Sequence, residues 1–113
     1  MPMDETRRRK AANEAVFREI NEKIEGLQRG FAVTENQPLH IVCECARLDC
    51  TSRITVTVET YESVRARSDE FLVVEGHNDP SVEEVVDTGV EYLIVRKKPG
   101  GPREVAEQSD PRS

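Results

Sequence analysis

Tryptophan is absent from this chain of 113 residues, which holds only two tyrosines and three phenylalanines. So little aromatic surface leaves few platforms on which unpaired bases could stack. Positive charge is also short, with 16 Lys and Arg against 22 Asp and Glu for a net charge of −6. A general grip on nucleic acid or on an anionic membrane needs the opposite balance. No apolar run approaches the ~18–20 residues that cross a bilayer. Residues 1–10 are charged and lack the apolar stretch of a secretory signal, so the expectation is a cytoplasmic protein with reduced thiols. The three cysteines cannot all pair within the chain, and they crowd into one short window unlike a disulfide framework. A catalytic serine setting, a phosphate loop and the His-Glu signature of a metallohydrolase are all missing, so the expectation is that the protein is not an enzyme.

The material that remains suits a small soluble domain. Hydrophobic residues make up 36% and charged residues 34% of the chain, which leaves a thin core. Folded units below roughly 70–80 residues usually need a metal, a disulfide or a partner to hold together. The pattern over residues 4–28 reads as a helix ending near Gly30. Within it Phe17, Ile20, Ile24, Leu27 and Phe31 recur at alternating steps of three and four, with Val16 beside them. Glu14, Arg18, Glu19, Glu22, Lys23 and Glu25 flank this stripe. Such a helix either lies on its own domain or offers Phe17, Ile20, Ile24 and Leu27 to a protein partner or a second copy. The cluster Arg7, Arg8, Arg9 and Lys10 reads as a solvated helix start.

Further on, residues 39–43 and 53–58 alternate like strands. Residues 59–67 look helical with Thr57 as cap, and residues 71–74 form a buried type of strand running into Gly76, His77 and Asn78. A capping pattern with Glu83 and Glu84 in its first turn predicts a helix over 81–88, stopped by Gly89. Residues 91–97 make a last strand. The expected fold is α+β: an N-terminal amphipathic helix, then a small zinc-stabilised unit of about four strands and two short helices. The expected organisation is a flexible basic start over 1–12, the amphipathic helix over 13–30, a zinc-binding α+β domain over 36–98 and a disordered tail over 99–113.

The chemistry lies in Cys43-Glu44-Cys45 and Cys50. Residues two apart on a strand project to one side, so Cys43 and Cys45 face a common point, and a tight turn returns Cys50 toward them. Three thiolates at close quarters need a cation between them, and soft sulfur selects zinc over magnesium or calcium. Structural zinc takes four tetrahedral ligands. His77, presented from a turn after a glycine, is the preferred fourth. His40 projects to the opposite face of its strand, and Asp49, Glu44 or a water are the remaining options. Cysteine is often a plain buried hydrophobe, but three in eight residues with one in a polar turn argue against that here. An iron–sulfur cluster would want a fourth cysteine, and a redox pair would want the usual two-residue spacer. Three thiolates also quench Lewis acidity, which favours a structural Zn2+ over a catalytic one.

These elements together resemble a group of small, mostly uncharacterised zinc-site proteins common in actinobacteria. The resemblance rests on Cys43-Glu44-Cys45, Cys50-Thr51, Arg53-Ile54, Tyr61-Glu62-Ser63-Val64-Arg65, Phe71-Leu72-Val73 and Gly76-His77. The stretch from Asn13 through Glu19 and the tail Glu104-Val105-Ala106-Glu107 are similar as well. The resemblance implies that His77 belongs to the metal site, and it implies no activity.

For function, the leading expectation is a zinc-pinned interaction or regulatory module. Residues 59–91 carry many acids against only Arg65 and Arg67, a face suited to a basic protein partner. The alternative is a redox- or metal-responsive zinc-thiolate sensor. Nucleic-acid binding, resting on Arg7 to Lys10 and on Arg96, Lys97 and Lys98, is opposed by the net charge. No small-molecule substrate is implied.

Overall fold

A computed structural model describes residues 5–29, 37–45, 47 and 49–112, with side chains from residue 11 onward in the first helix. The elements are α1 (Glu5–Arg29), β1 (Pro38–Val42), β2 (Arg53–Thr57), α2 (Val58–Arg65), β3 (Glu70–Val74), β4 (Glu83–Thr88), β5 (Tyr92–Lys97) and α3 (Gly101–Gln108). The class is α+β, as expected. The Gly30 helix stop and Phe31 lie outside the described residues.

β1 and β2 pair antiparallel, with Ile41 opposite Ile54 and Leu39 opposite Val56, so one face of this hairpin is apolar. The second sheet is antiparallel in the order β3-β5-β4. Just beyond β1 the two sheets meet, where the Glu44 amide donates to the Leu72 carbonyl at 2.8 Å. The core forms between them from Leu39, Ile41, Ile54, Val56, Tyr61, Val64, Phe71, Leu72, Val73, Ile94 and Val95, all buried. Thr57 caps α2, its hydroxyl accepting the Thr60 amide at 3.1 Å. Among the described residues no helix is long and apolar enough to cross a membrane.

Three segments depart from the sequence expectation. Residues 83–88 form strand β4, not the helix expected over 81–88, which makes five strands where about four are expected. The capping residues build a single turn: the Val82 and Glu83 amides donate to the Asp79 carbonyl, and Glu83 Oε2 accepts the Asp79 amide at 2.9 Å. Beyond it, the adjacent β-branched Val85 and Val86 have no helical apolar stripe to continue, and the chain pairs with β5 through a register shift between Val85 and Asp87.

The tail expected to be disordered over 99–113 instead carries α3. Gly100 enters it at φ 102° and Pro102 sits in its first turn, where a missing N–H costs nothing. Ala106 is buried on the core, and Arg18, distant in sequence, caps the end of this helix. Beyond it, Arg112 meets Glu22 and Glu62. Likewise, residues 5–12, read as part of a flexible start, already belong to α1.

α1 also faces the domain differently from the expected flanks. Glu14, Arg18, Asn21 and Glu25 form its buried stripe, and Ile24 touches the core from one side. Buried polar groups are tolerable only when paired, and these are. Asn21 completes the edge of β1, accepting the Val42 amide at 2.8 Å and donating to its carbonyl at 2.9 Å. Arg18 donates to the carbonyls of Ser68 at 2.7 Å and Ala106 at 2.6 Å, while its guanidinium lies 4.5 Å from the centre of the Phe71 ring. Lys97 sits between Glu14 and Glu83 at 2.6 Å from each.

Candidate metal centre

The four expected ligands come from two places made adjacent by the meeting of the sheets. Cys43 follows β1 directly, and its amide donates to the Ser52 carbonyl at 3.0 Å, which closes the loop that carries Cys45 and Cys50. Inside this loop the Cys50 amide reaches the Arg47 carbonyl at 3.1 Å, returning Cys50 to the first two cysteines. His77 comes from the turn after β3, where its amide donates to the Val74 carbonyl at 2.9 Å. That turn requires Gly76 at φ 88°, a conformation costly for residues with a Cβ.

The sulfurs of Cys43, Cys45 and Cys50 and a ring nitrogen of His77 all lie within 4.8 Å of one another, a grouping that could hold a metal ion. His77 turns Nδ1 inward, 3.7 Å from the Cys43 sulfur and 3.5 Å from the Cys50 sulfur. A tetrahedral site with metal–sulfur bonds of ~2.3 Å and metal–nitrogen bonds of ~2.0–2.1 Å has edges of about 3.5–3.8 Å, so these spacings fit. The cysteines are free thiols, Cys43 and Cys45 buried and Cys50 half-buried.

Backbone amides surround the sulfurs. Val74 donates to Cys43 at 3.2 Å; the Cys45 amide also serves Cys43, the Arg47 amide serves Cys45 and the Ser52 amide serves Cys50. Amides aimed at sulfur favour the thiolate and orient it. Burial opposes them. It raises the Cys43 and Cys45 thiols above their ordinary range despite these amides. At Cys50 burial also pushes upward, but the Ser52 amide and hydroxyl and the neighbouring thiols outweigh it and lower the group. A divalent cation reverses the burial penalty, because a coordinated thiol is deprotonated outright. With the amide donors already in place, the two buried sulfurs could serve a bound cation as thiolates.

The other side-chain options stand outside the cluster. His40 is exposed on the far side of β1, its Nδ1 3.0 Å from the Thr55 hydroxyl. Asp49 is exposed and stands outside the four-residue group. Glu44 is fully buried and points away from the sulfurs, as strand alternation demands of a residue between two ligands. Its Oε1 meets Arg65 at 3.0 Å and the Leu72 amide at 2.9 Å, while Oε2 accepts from Asn21 at 2.7 Å. This carboxylate ties α1, α2 and β3 to the ligand strand. Its signal in the sequence is its position between Cys43 and Cys45, which turns it inward, where only a paired acid can stay.

A cleft of about 370 Å³ opens beside His77, lined among others by Glu14, Arg47, Asp49, Asp79 and Glu83. The acids near it are partly spoken for. Burial pushes Glu14 up to about 7 against the pull of Lys97. Burial alone would lower Lys97, but Glu14 and Glu83 outweigh it and raise the ammonium.

No family model, curated protein or solved structure matches the chain. The assignment of the site therefore rests on its own geometry.

Proposed function

We propose that the protein is a small zinc-binding interaction or regulatory module whose metal is structural. The observation that supports it is the convergence of Cys43, Cys45, Cys50 and His77 with backbone amides aimed at every sulfur. Ligation by three soft sulfurs and one ring nitrogen suits zinc, and four protein ligands leave no open position for a substrate or an activated water. The metal would join the loop after β1 to the turn after β3, compensating for a core that is thin for its length. On this reading the protein is non-catalytic and works in the reducing cytoplasm. Its acidic surface is narrower than the sequence implies, since Glu70 is paired with Arg96 and Glu83 with Lys97. Glu75, Glu84, Asp87 and Glu91 remain exposed to meet a basic partner.

Cobalt substitution tests the metal reading. Co2+ bound by this set gives the intense visible bands of tetrahedral coordination and the near-ultraviolet charge transfer of three thiolates, and His77→Ala changes the visible bands. An octahedral spectrum, or no uptake, would refute the assignment.

The uneven exposure of the sulfurs favours a redox-responsive site as a second reading. Cys50 is half-exposed beside Cys43 and Cys45, which are buried. Hydrogen peroxide would take two electrons from two thiolates and two protons (H+) from the buffer, leaving a disulfide and two waters and releasing the ion. Zinc that stays bound through mild peroxide treatment would remove this reading.

A further inference from the structure

The buried stripe of α1 is polar, and three of its large apolar residues are left outside. Val16 is 53% exposed, Ile20 38% and Leu27 72%, although a helix normally turns such residues inward. Together with Lys23 they fall at steps of four, three and four, the spacing of a coiled-coil seam, and Glu19 and Gly26 border one side of it. We propose that this face pairs with the same face of a second copy, the two helices running antiparallel about a two-fold axis between Ile20 and Lys23. The proposal rests on the reading of the protein as an interaction module and names the partner of this surface.

Two observations select that occupant and that direction. The first is charge. With the helices antiparallel, Val16 of each copy lies opposite Leu27 of the other, and Lys23 lies beside Ile20 and Glu19 of the other. Opposite charges therefore meet twice across the axis, as a self-complementary interface requires. A parallel in-register pair would instead set Lys23 against Lys23 at its centre. The second is Gly26. Glycine inside a helix is unfavourable by roughly 1 kcal/mol relative to alanine, and here a Cβ would meet nothing within 4 Å in its own fold. Across the antiparallel seam Gly26 lies against Val16 of the other copy, where a missing side chain lets the backbones approach. The geometry is open to such pairing, because Glu14, Arg18, Asn21 and Glu25 hold each domain on the opposite side of its helix.

Sedimentation equilibrium over a range of concentrations, with zinc content measured on the same samples, tests the pairing. The wild-type protein should associate to a dimer with rising concentration. Glu19→Lys and Lys23→Glu should each weaken association by about tenfold or more, and the double swap should restore it. Gly26→Ala should raise the melting temperature of dilute monomer by about 4 °C or more yet weaken the dimer. A monomer at every concentration, single swaps that associate like wild type, or a double swap as weak as the singles would overturn the proposal. Gly26→Ala that pairs as tightly as wild type would overturn the register. A monomer that retains its zinc would defeat the pairing alone, whereas absence of zinc would defeat the metal reading whatever the oligomeric state.

Discussion

Cys43, Cys45, Cys50 and His77 bring two loops together at one edge of the domain, and Glu14, Arg18, Asn21 and Lys97 bring a helix down onto the same domain. The first group has three of its four members within eight residues, is soft in chemistry and could hold a metal ion. The second is scattered from residue 14 to residue 97, and every charge in it is answered by another part of the chain. Held as thiolates, the three sulfurs would need a cation between them, while Glu14 and Glu83 are answered by Lys97 and Arg18 by carbonyls. The two regions thus meet one problem, that of a small apolar core, in different ways: one offers a grouping that could hold a metal ion, and the other closes internal ion pairs.

The difference can be broken from either side. Removing the metal should have the largest effect. A chelator, or Cys45→Ser, should cost an apparent ~10 kcal/mol of folding free energy, seen as loss of the far-ultraviolet circular dichroism signal. A chain that stays folded after complete metal removal would place its stability in the ion pairs instead.

Next is Lys97→Met, which leaves Glu14 and Glu83 buried without their cation. Breaking such a group from one side costs roughly 3–5 kcal/mol, measurable by urea denaturation with zinc kept saturating. A loss below about 1 kcal/mol would mean that the cluster is solvated like an ordinary surface pair.

The same cluster gives a pH signature. Burial pushes Glu14 up to about 7 from 4.5. A carboxyl with a raised folded pKa keeps its proton longer in the folded state, so its contribution is fully present below about 4.5 and falls as pH rises through about 7. The difference in stability between wild type and Glu14→Gln should therefore decline across that window, and the subtraction removes the acid sensitivity of the thiolates. A difference that grows with pH would contradict the burial of Glu14.

The smallest effect is expected at Gly76→Ala. The substituted residue must hold φ near 88° with open space around it, so the change costs only backbone strain of about 1–2 kcal/mol. Zinc affinity should fall with it, because that turn presents His77.

Which parts could be read from the sequence follows from the same contrast. The clustering of the three cysteines with His77 was legible because a strand period of two and a short turn confine the cysteines locally, and a glycine before His77 marks a presenting turn. Thr57 was legible because a cap acts within three residues. β4 was not, since Asp79 and Glu83 do build the start of a helix, and only pairing with β5 shows that it stops after one turn. α3 was illegible because Arg18, far away in sequence, donates to its Ala106 carbonyl and to Ser109 at its end. α1 was legible only in part: its apolar stripe left open whether it faced its own domain or a partner, and Asn21 and Arg18 find buried backbone partners that no periodicity reveals.

The most direct measurement is zinc content by elemental analysis on wild type and His77→Ala, each followed by circular dichroism during unfolding. We expect one zinc per wild-type chain, and a variant with weakened zinc and a lowered unfolding transition. A folded wild-type chain without metal, or a variant that keeps its zinc and its transition unchanged, would contradict the assignment of the site.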